Sequence, residues 1–376
     1  MKIVPFCVLL CVCCSTYNCR RPYEPPELKA TNHFLVVDGV INATPDGTTT
    51  ITLSRTRSFA DTVRNIPEQG ALVFVESKSG TVYGLPEKGR GVYILEHMNL
   101  DAANEYRLKI TTASQSTYLS DFVPVKKSPP IDSLTWEYRD DVNIFAYTHD
   151  PQNQARYYRW DYTEDWQYHS KYETVWGVKD HLIYYRDTDQ VYNCWQTAAS
   201  DNIALGTSVQ LSQDIIDHAP VARIPKFSEK LGVRYSILVR QYALSEGAYQ
   251  YWKILEKNSQ QVGSLFDPQP SQLKGNIHAV ADPDEPVLGY VTASTVSEKR
   301  MFISHLQVPD WEVNTVVQAC DTIEVPVNPA DFRIYTYPNP TYVPYYFISG
   351  GPLVVINATC VDCTLRGGTT KKPAFW

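Results

Sequence analysis

Short runs in which apolar and polar residues alternate recur through the first third of the chain, and they limit what the chain can fold into. One run covers residues 33–41 and another covers residues 48–54, with the turn sequence Pro45-Asp-Gly between them. Alternation with a period of two places one face of a strand in a core and the other in solvent. Further runs of this kind cover residues 71–75, 81–85, 91–95, 105–111 and 116–122. Strands at this spacing predict an immunoglobulin-like or transthyretin-like β-sandwich over residues 31–127.

A proline-containing segment marks the predicted end of this first unit. Lys126-Lys-Ser-Pro-Pro130 includes consecutive prolines, which donate no hydrogen bonds to a sheet, so it predicts a linker between domains. Residues 128–376 are then expected to form a larger β-rich domain. Its predicted strands cover residues 132–138, 143–148, 157–162, 287–293 and 300–304.

One amphipathic helix is predicted within this second domain. Ser245 is suited to cap its first turn, and Glu246 lies at the positive end of the helix dipole. An apolar stripe with helical spacing follows, formed by Ala248, Tyr251, Trp252 and Leu255. Such a stripe is typical of core packing. The predicted fold class is therefore mostly β, with an N-terminal sandwich, a larger β-rich domain and at least one amphipathic helix.

The N-terminus has the features of an export signal. Lys2 precedes an apolar stretch at residues 3–14, which is shorter than the roughly 20 residues that a membrane-spanning helix needs. Cys19 follows, at the start of an arginine- and proline-rich segment. We therefore expect residues 1–18 to be a lipoprotein signal peptide, Cys19 to be lipidated, and residues 19–30 to form a tether. The alternative is an ordinary signal peptide, because small residues usually precede a lipidated cysteine and Asn18 does not fit that pattern.

Four cysteines remain after this leader, namely Cys194, Cys320, Cys360 and Cys363. In an oxidising compartment an even number of cysteines predicts disulfides, and four cysteines allow three pairings. The spacing of Cys360 and Cys363 also occurs in redox pairs and in zinc sites. The redox alternative is weakened by a position close to the C-terminus, and the zinc alternative lacks further ligands at a recognisable spacing. We expect disulfides that hold the C-terminal tail in place, and no metal site.

Charge and motifs argue against two other functional classes. The net charge is −7 and the lysines and arginines are scattered, whereas nucleic-acid binding requires clustered positive charge. No nucleophile elbow, zinc-protease motif or phosphate-binding loop is present in the sequence. The fragments Ser200-Asp-Asn202 and Ser271-Gln-Leu-Lys274 resemble penicillin-recognising motifs, but their order is reversed and the third motif is missing. We expect a protein that is not an enzyme and has no cofactor.

Tyrosine and tryptophan are concentrated between Tyr157 and Trp195. Alternate aromatic residues around Trp160 are typical of a strand that faces a core. A second group interleaves with charged residues and is predicted to form a partner- or ligand-binding surface, because rigid rings give large contact areas at low entropic cost. This group consists of Trp166, Tyr168, Tyr172 and Trp176.

Several motifs give the chain a specific resemblance. They are Cys19-Arg-Arg-Pro-Tyr-Glu-Pro-Pro, Leu35-Val-Val-Asp-Gly, Pro130-Ile-Asp-Ser-Leu, Tyr157-Tyr-Arg-Trp, Leu238-Val-Arg-Gln-Tyr-Ala-Leu-Ser, Trp252, Val262-Gly-Ser-Leu-Phe-Asp-Pro-Gln-Pro-Ser271, Gly275-Asn-Ile-His278, Gly289-Tyr-Val-Thr-Ala-Ser294 and the ending from Cys360 to Trp376. Together they resemble domain-of-unknown-function family 4249. The resemblance implies an outer-membrane lipoprotein of Bacteroidota, on the cell surface or the periplasmic face, encoded beside a TonB-dependent receptor. It implies no reaction and no catalytic residues.

Two functions follow as expectations. In the first, the chain is a lipid-anchored binding or accessory protein that partners a TonB-dependent receptor in nutrient uptake. In the second, it is a structural or adhesive envelope lipoprotein without a small-molecule ligand. A neighbouring receptor gene would favour the first function.

Overall fold

The computed structural model describes residues 33–57, 66–260, 274–313, 320–326, 334–337 and 339–376. The predicted signal peptide, the tether and Cys19 lie outside the described residues, as does most of the fragment from Ser271 to Lys274. Across the described residues the chain is mostly β and contains one α-helix, so the predicted fold class is confirmed.

The N-terminal unit is a β-sandwich. Its strands are β1 (Leu35–Asn42), β2 (Thr48–Arg55), β3 (Ile66–Pro67), β4 (Leu72–Ser77), β5 (Val82–Leu85), β6 (Glu87–Gly89), β7 (Val92–Glu96), β8 (Glu105–Thr111), β9 (Thr117–Ser120) and β10 (Val123–Lys126). The alternating runs all became strands, and their inward residues, such as Leu35, Ile51, Tyr93 and Ile110, are fully buried. The period-two pattern therefore placed this core correctly.

The second unit is also a sandwich, built from two sheets. Its strands are β11 (Ile131–Tyr138), β12 (Val142–Asp150), β13 (Tyr157–His169), β14 (Trp176–Lys179), β15 (Leu182–Tyr185), β16 (Asn193–Ala199), β17 (Ala204–Thr207), β18 (Asp214–Ile224) and β19 (Arg234–Ala243). A sheet of order β11-β12-β18 packs against a larger sheet in which β13 pairs with β16, β17 and β19. Trp160 lies in the core between them, where its indole N–H donates to the buried Gln241 side chain at 2.9 Å.

The predicted helix is present as α1 (Glu246–Gln260). The Ser245 hydroxyl accepts a hydrogen bond from the Ala248 backbone at 3.3 Å, which confirms its capping role. Ala248 is buried, and Trp252 packs against the same small cluster of apolar side chains. The first part of the apolar stripe, Ala248 and Tyr251, is therefore buried as its spacing predicted, whereas Trp252 and Leu255 stay partly exposed.

After α1 the chain returns to the first sandwich before it completes the second. The remaining strands are β20 (Ile277–Ala279), β21 (Ala293–Ser294), β22 (Val296–Ser304), β23 (Thr322–Val325), β24 (Tyr342–Phe347) and β25 (Leu353–Asn357). β20 pairs with β9, β21 lies between β1 and β10, and β22 joins the larger sheet beside β19. The first sandwich thus contains residues from two separate parts of the chain. This corrects the assignment of all residues after 127 to the second domain.

Backbone contacts explain why this return segment, residues 275–294, fits against the first sandwich. The Val37 backbone donates to Leu288, and the Leu288 backbone donates back to Leu35, at 2.8 and 2.9 Å. At Gly289, where φ is +143°, a Cβ atom would lie 2.3 Å from the Val37 carbonyl oxygen, so only glycine allows this approach. The predicted strand at 287–293 is in fact an extended segment in which only β21 is a strand.

The C-terminal part forms a small module and a tail. β14 and β15 form a hairpin that packs near the sheet β23-β25-β24, with Trp176 and Ile183 among the apolar residues between them. The predicted disulfides are confirmed, and the structure selects one pairing: Cys194 with Cys363, and Cys320 with Cys360. Cys360 and Cys363 therefore bond to different partners and not to each other.

The tail beyond Cys363 crosses the outer face of the larger sheet. Thr369 exchanges two backbone hydrogen bonds with Trp195, at 2.8 and 2.9 Å. Near the end, the Phe375 ring lies 3.5 Å from the guanidinium carbon of Arg300, and the Trp376 ring packs edge-to-face on Phe302. The tail is therefore held in place along its length, as the sequence predicted.

We predict that Asn276→Ala destabilises the protein by about 2–4 kcal/mol, because it leaves a buried N–H and a buried C=O of Val291 unpaired. The Asn276 side chain accepts from the Val291 N–H at 2.8 Å and donates to the Val291 carbonyl at 3.0 Å. Urea unfolding followed by tryptophan fluorescence measures the loss. The matched control is Asn99→Ala, at an exposed position, and an equal effect of the two changes would contradict the prediction.

We predict that the two disulfides differ in their contribution to stability. The Cys194–Cys363 bond spans 169 residues and the Cys320–Cys360 bond spans 40. Chain entropy alone assigns them about 5 and about 4 kcal/mol, so the paired serine variant at 194 and 363 should unfold at lower urea than the one at 320 and 360. The reverse order in parallel urea titrations would show that loop length does not control the difference.

Candidate functional site

Two hollows lie where the two sandwiches meet. Two adjoining hollows of about 730 and 590 Å³ open between β1 and β2 on one side and the outer face of β13 and β19 on the other. We call the combined space the junction cleft. The residues that line both hollows are Asp38, Gly39, Arg159, Asp161 and Arg240.

Strand periodicity explains which side chains face the cleft from the second sandwich. On β13, Trp160 points into the core, so its neighbours Arg159 and Asp161 point outward. Arg240 on β19 stands directly opposite Asp161 on one side and Glu298 on the other. The outer face therefore carries a row of charges of alternating sign across three adjacent strands.

Asp161 forms ion pairs with both arginines of this row. Its carboxylate accepts from the Arg159 guanidinium at 3.1 Å and from Arg240 Nε at 2.7 Å. Arg240 also donates to the Thr163 hydroxyl at 2.9 Å. Partial burial lowers the pKa of Arg240, but the negative charge of Asp161 outweighs burial and raises it overall. The two guanidinium groups and the carboxylate are therefore held in one fixed arrangement.

The opposite wall of the cleft is also polar, but its side chains have fewer partners within the described residues. Asp38 on β1 stands opposite Thr52 on β2, with Thr50 two residues further along the same strand. The Thr50 and Thr52 hydroxyls have no hydrogen-bond partner among the described residues. The exposed carboxylates of Asp38 and Glu298 likewise form no ion pair within the part of the chain that is described. These groups are available to a ligand without first giving up a partner.

Aromatic and apolar side chains close the other end of the cleft. The Arg159 guanidinium lies 4.1 Å from the centre of the Trp252 ring, which fixes the ring by a cation–π contact. Tyr251 and Tyr290 pack with ring centres 5.4 Å apart, and Leu255 lines the same end. Burial raises the pKa of Tyr251 to about 12, so this hydroxyl stays neutral at physiological pH.

The side chains of the cleft offer hydrogen-bond donors and acceptors to a polar ligand. Asp161, the carboxylate with the most hydrogen bonds here, is bonded to two arginines. Among the described residues no group of three or more histidine, cysteine or acidic side chains could hold a metal ion.

The four aromatic residues predicted to form a binding surface do not lie together. Trp166 and Tyr168 are 8% and 1% exposed, because β13 extends to His169 and carries them into the core. This corrects the predicted set: these two residues belong to no preformed surface. Tyr172 and Trp176 are partly exposed in the C-terminal module, where Tyr172 contacts Tyr345 and Trp176 contacts Tyr185 and Phe347.

Sequence reasoning did not identify the junction cleft. The alternation on β13 marks Arg159 and Asp161 as outward residues, and that signal was present in the sequence. Several motifs that carry the family resemblance also supply cleft residues, including Asp38, Arg159, Arg240, Trp252 and Tyr290. Neither signal shows that β1 faces β13, since the two strands are more than 100 residues apart.

Comparisons with known proteins assign the chain to a family. A two-domain fibronectin type-III segment of chicken tenascin is similar at 14% identity, with 55% of this chain and 88% of that chain covered and a TM-score of 0.15. No curated protein matches the chain significantly. The model of the family described as domain of unknown function (DUF4249) matches residues 20–300. That match covers well over half of the sequence, and the chain therefore belongs to the DUF4249 family.

Proposed function

We propose that this protein is a lipid-anchored accessory protein of the outer membrane, which binds a nutrient and partners a TonB-dependent receptor in its uptake. The observation that carries the proposal is the junction cleft. Small-molecule sites commonly lie between domains and have volumes of about 300–1,000 Å³, and the larger hollow measures about 730 Å³. A structural or adhesive protein has no need of such a cleft with unpaired polar groups.

The junction is built rigidly enough to hold a ligand in a defined geometry. The Gln241 amide, fully buried, donates to the Pro129 carbonyl at 2.8 Å and to the Thr148 hydroxyl at 3.1 Å. The Ser128 hydroxyl donates to the Gln241 carbonyl at 3.1 Å. The connection between the sandwiches is therefore packed into the second core and does not act as a flexible linker. Preorganisation of this kind lowers the entropic cost of binding.

The proposed lipid anchor is inferred from the sequence. Cys19 follows an apolar stretch that resembles an export signal. In the described residues no helix is long and apolar enough to cross a membrane. Lipidation of Cys19 with more than one acyl chain would give stable attachment.

The C-terminal module supports contact with a protein partner. Tyr185 is 60% exposed and Tyr346 is 46% exposed, and each contacts another aromatic ring of the module. Tyrosine is favoured at protein interfaces because a rigid ring covers a large area and its hydroxyl stays solvated. We propose that the receptor contacts this module.

The first test is an affinity purification from solubilised outer membranes with a tag joined to Trp376 through a flexible linker. We expect a TonB-dependent receptor to co-purify with the native chain and to be lost with Cys19→Ala, because the unanchored chain does not stay beside the receptor. Mass spectrometry of the eluate gives the measurement. Recovery of the native chain without any receptor would favour the structural or adhesive function.

The second test addresses the module. We expect the double change Tyr185→Ser and Tyr346→Ser to reduce receptor recovery at least fivefold, since each exposed ring contributes on the order of 1–2 kcal/mol at an interface. The matched control is Leu306→Ser, at an apolar position that is 86% exposed and lies outside the module. Equal recovery with the double variant and the control, at equal thermal stability, would show that the receptor does not contact this surface.

A further inference from the structure

The polar groups of the junction cleft are suited to a ligand that both donates and accepts hydrogen bonds. Arg159 and Arg240 retain N–H groups without a partner among the described residues, and these groups only donate. The exposed carboxylates of Asp38 and Glu298 only accept. The Thr50 and Thr52 hydroxyls do both. A ligand that satisfies this wall must therefore offer donors and acceptors in similar numbers.

The charges of the cleft argue against an anionic ligand. Asp38, Asp46, Asp161 and Glu298 line the larger hollow with Arg159 and Arg240, and Asp161 is already paired with both arginines. Carboxylates therefore outnumber guanidinium groups by four to two, and they would repel an anion. A neutral polar ligand avoids this penalty and can still accept hydrogen bonds from the two arginines.

Four of the five strands that line the cleft offer no edge to an extended peptide. β1, β2, β13 and β19 each have neighbours on both edges, so their backbone groups are already bonded within sheets. β22, which lines the cleft through Val296 and Glu298, is the last strand in the order of the larger sheet. Strand addition needs a free edge, so over most of the cleft recognition is made by side chains toward groups distributed over the ligand.

We infer that the junction cleft is a binding site for a saccharide, recognised through its hydroxyl groups. Each hydroxyl both donates and accepts, the molecule is neutral, and neighbouring hydroxyls present paired groups that match a carboxylate or a guanidinium. The Trp252 and Tyr290 end of the cleft adds apolar surface for the C–H face of a sugar ring. The inference rests on the proposed uptake function, for which it names the class of nutrient.

The test uses the full processed chain, purified in a detergent without a sugar headgroup. Isothermal titration calorimetry is run with maltotriose, cellotriose, xylotriose and mannotriose as saccharide probes. Tri-alanine and inorganic phosphate probe the peptide and anion alternatives. We expect at least one trisaccharide to bind. In Asp38→Ala and in Glu298→Ala we expect affinity for it to fall about tenfold or more, as loss of a hydrogen bond to a charged group predicts.

The matched control is Asp217→Ala, an exposed acidic position on β18 that does not line the cleft, which should bind like the native chain. Because Asp38 and Glu298 are exposed, all three variants should melt at the native temperature. Binding of no trisaccharide, binding of tri-alanine or phosphate alone, or equal affinity in both cleft variants and the control would each overturn the inference. Receptor recovery is measured separately, so saccharide binding without a receptor would leave this inference standing and remove the uptake partnership.

Discussion

The architecture depends on the return of residues 275–294 to the first sandwich. Ile277, Val287 and Val291 are buried in its core, and the Asn276 side chain closes the segment on itself through Val291. Without this segment, apolar side chains of β1 and β9 would face water. Because the segment comes from the sequence between α1 and β22, the first sandwich is completed only by chain that follows most of the second unit in sequence. The two units are therefore mutually dependent, although each has its own core.

The same return segment fixes the geometry of the cleft. β21 ends at Ser294 inside the first sandwich and β22 begins at Val296 inside the second, so Thr295 alone lies between the two strands. The Ser294 hydroxyl accepts from the Ala243 backbone at 3.3 Å, and the Thr44 hydroxyl accepts from the Val296 backbone at 2.7 Å. These bonds join the units on the side of the cleft where β1 and β2 meet β19 and β22. The join therefore sets the position of the β1 and β2 wall relative to the charges on β13, β19 and β22.

Burial distinguishes the acidic side chains that are paired within the structure from those of the cleft that are exposed. Asp165 is 4% exposed and pairs with Arg300 beneath the C-terminal tail, whereas Asp38 and Glu298 remain open to solvent in the cleft. The tail and the first sandwich cover different ends of the same sheet face. The proposed site lies at the end of the face that the first sandwich covers, where Glu298 and Asp38 are exposed.

The sequence by itself determined the strands of the first sandwich, several strands of the second, the helix and the general class of the fold. Periodicity identified the inward residues of β1 and β8, and Ser245 marked the start of α1, because these features depend on a few consecutive residues. The cysteines after the leader also indicated disulfides. Their pairing was not determined, since Cys194 and Cys363 are brought together only by the crossing of the tail.

Contacts between distant parts of the chain determined which residues are buried, where residues 275–294 pack and where the cleft forms. Trp166 and Tyr168 carry the charged neighbours typical of a surface, yet the continuation of β13 buries them. Residues 275–294 follow the second unit in sequence and belong to the first in space. Asp38 and Arg159 meet across the cleft although 120 residues separate them. Local patterns encode which way a side chain points from its own strand, and only the packing of whole sheets determines what it faces.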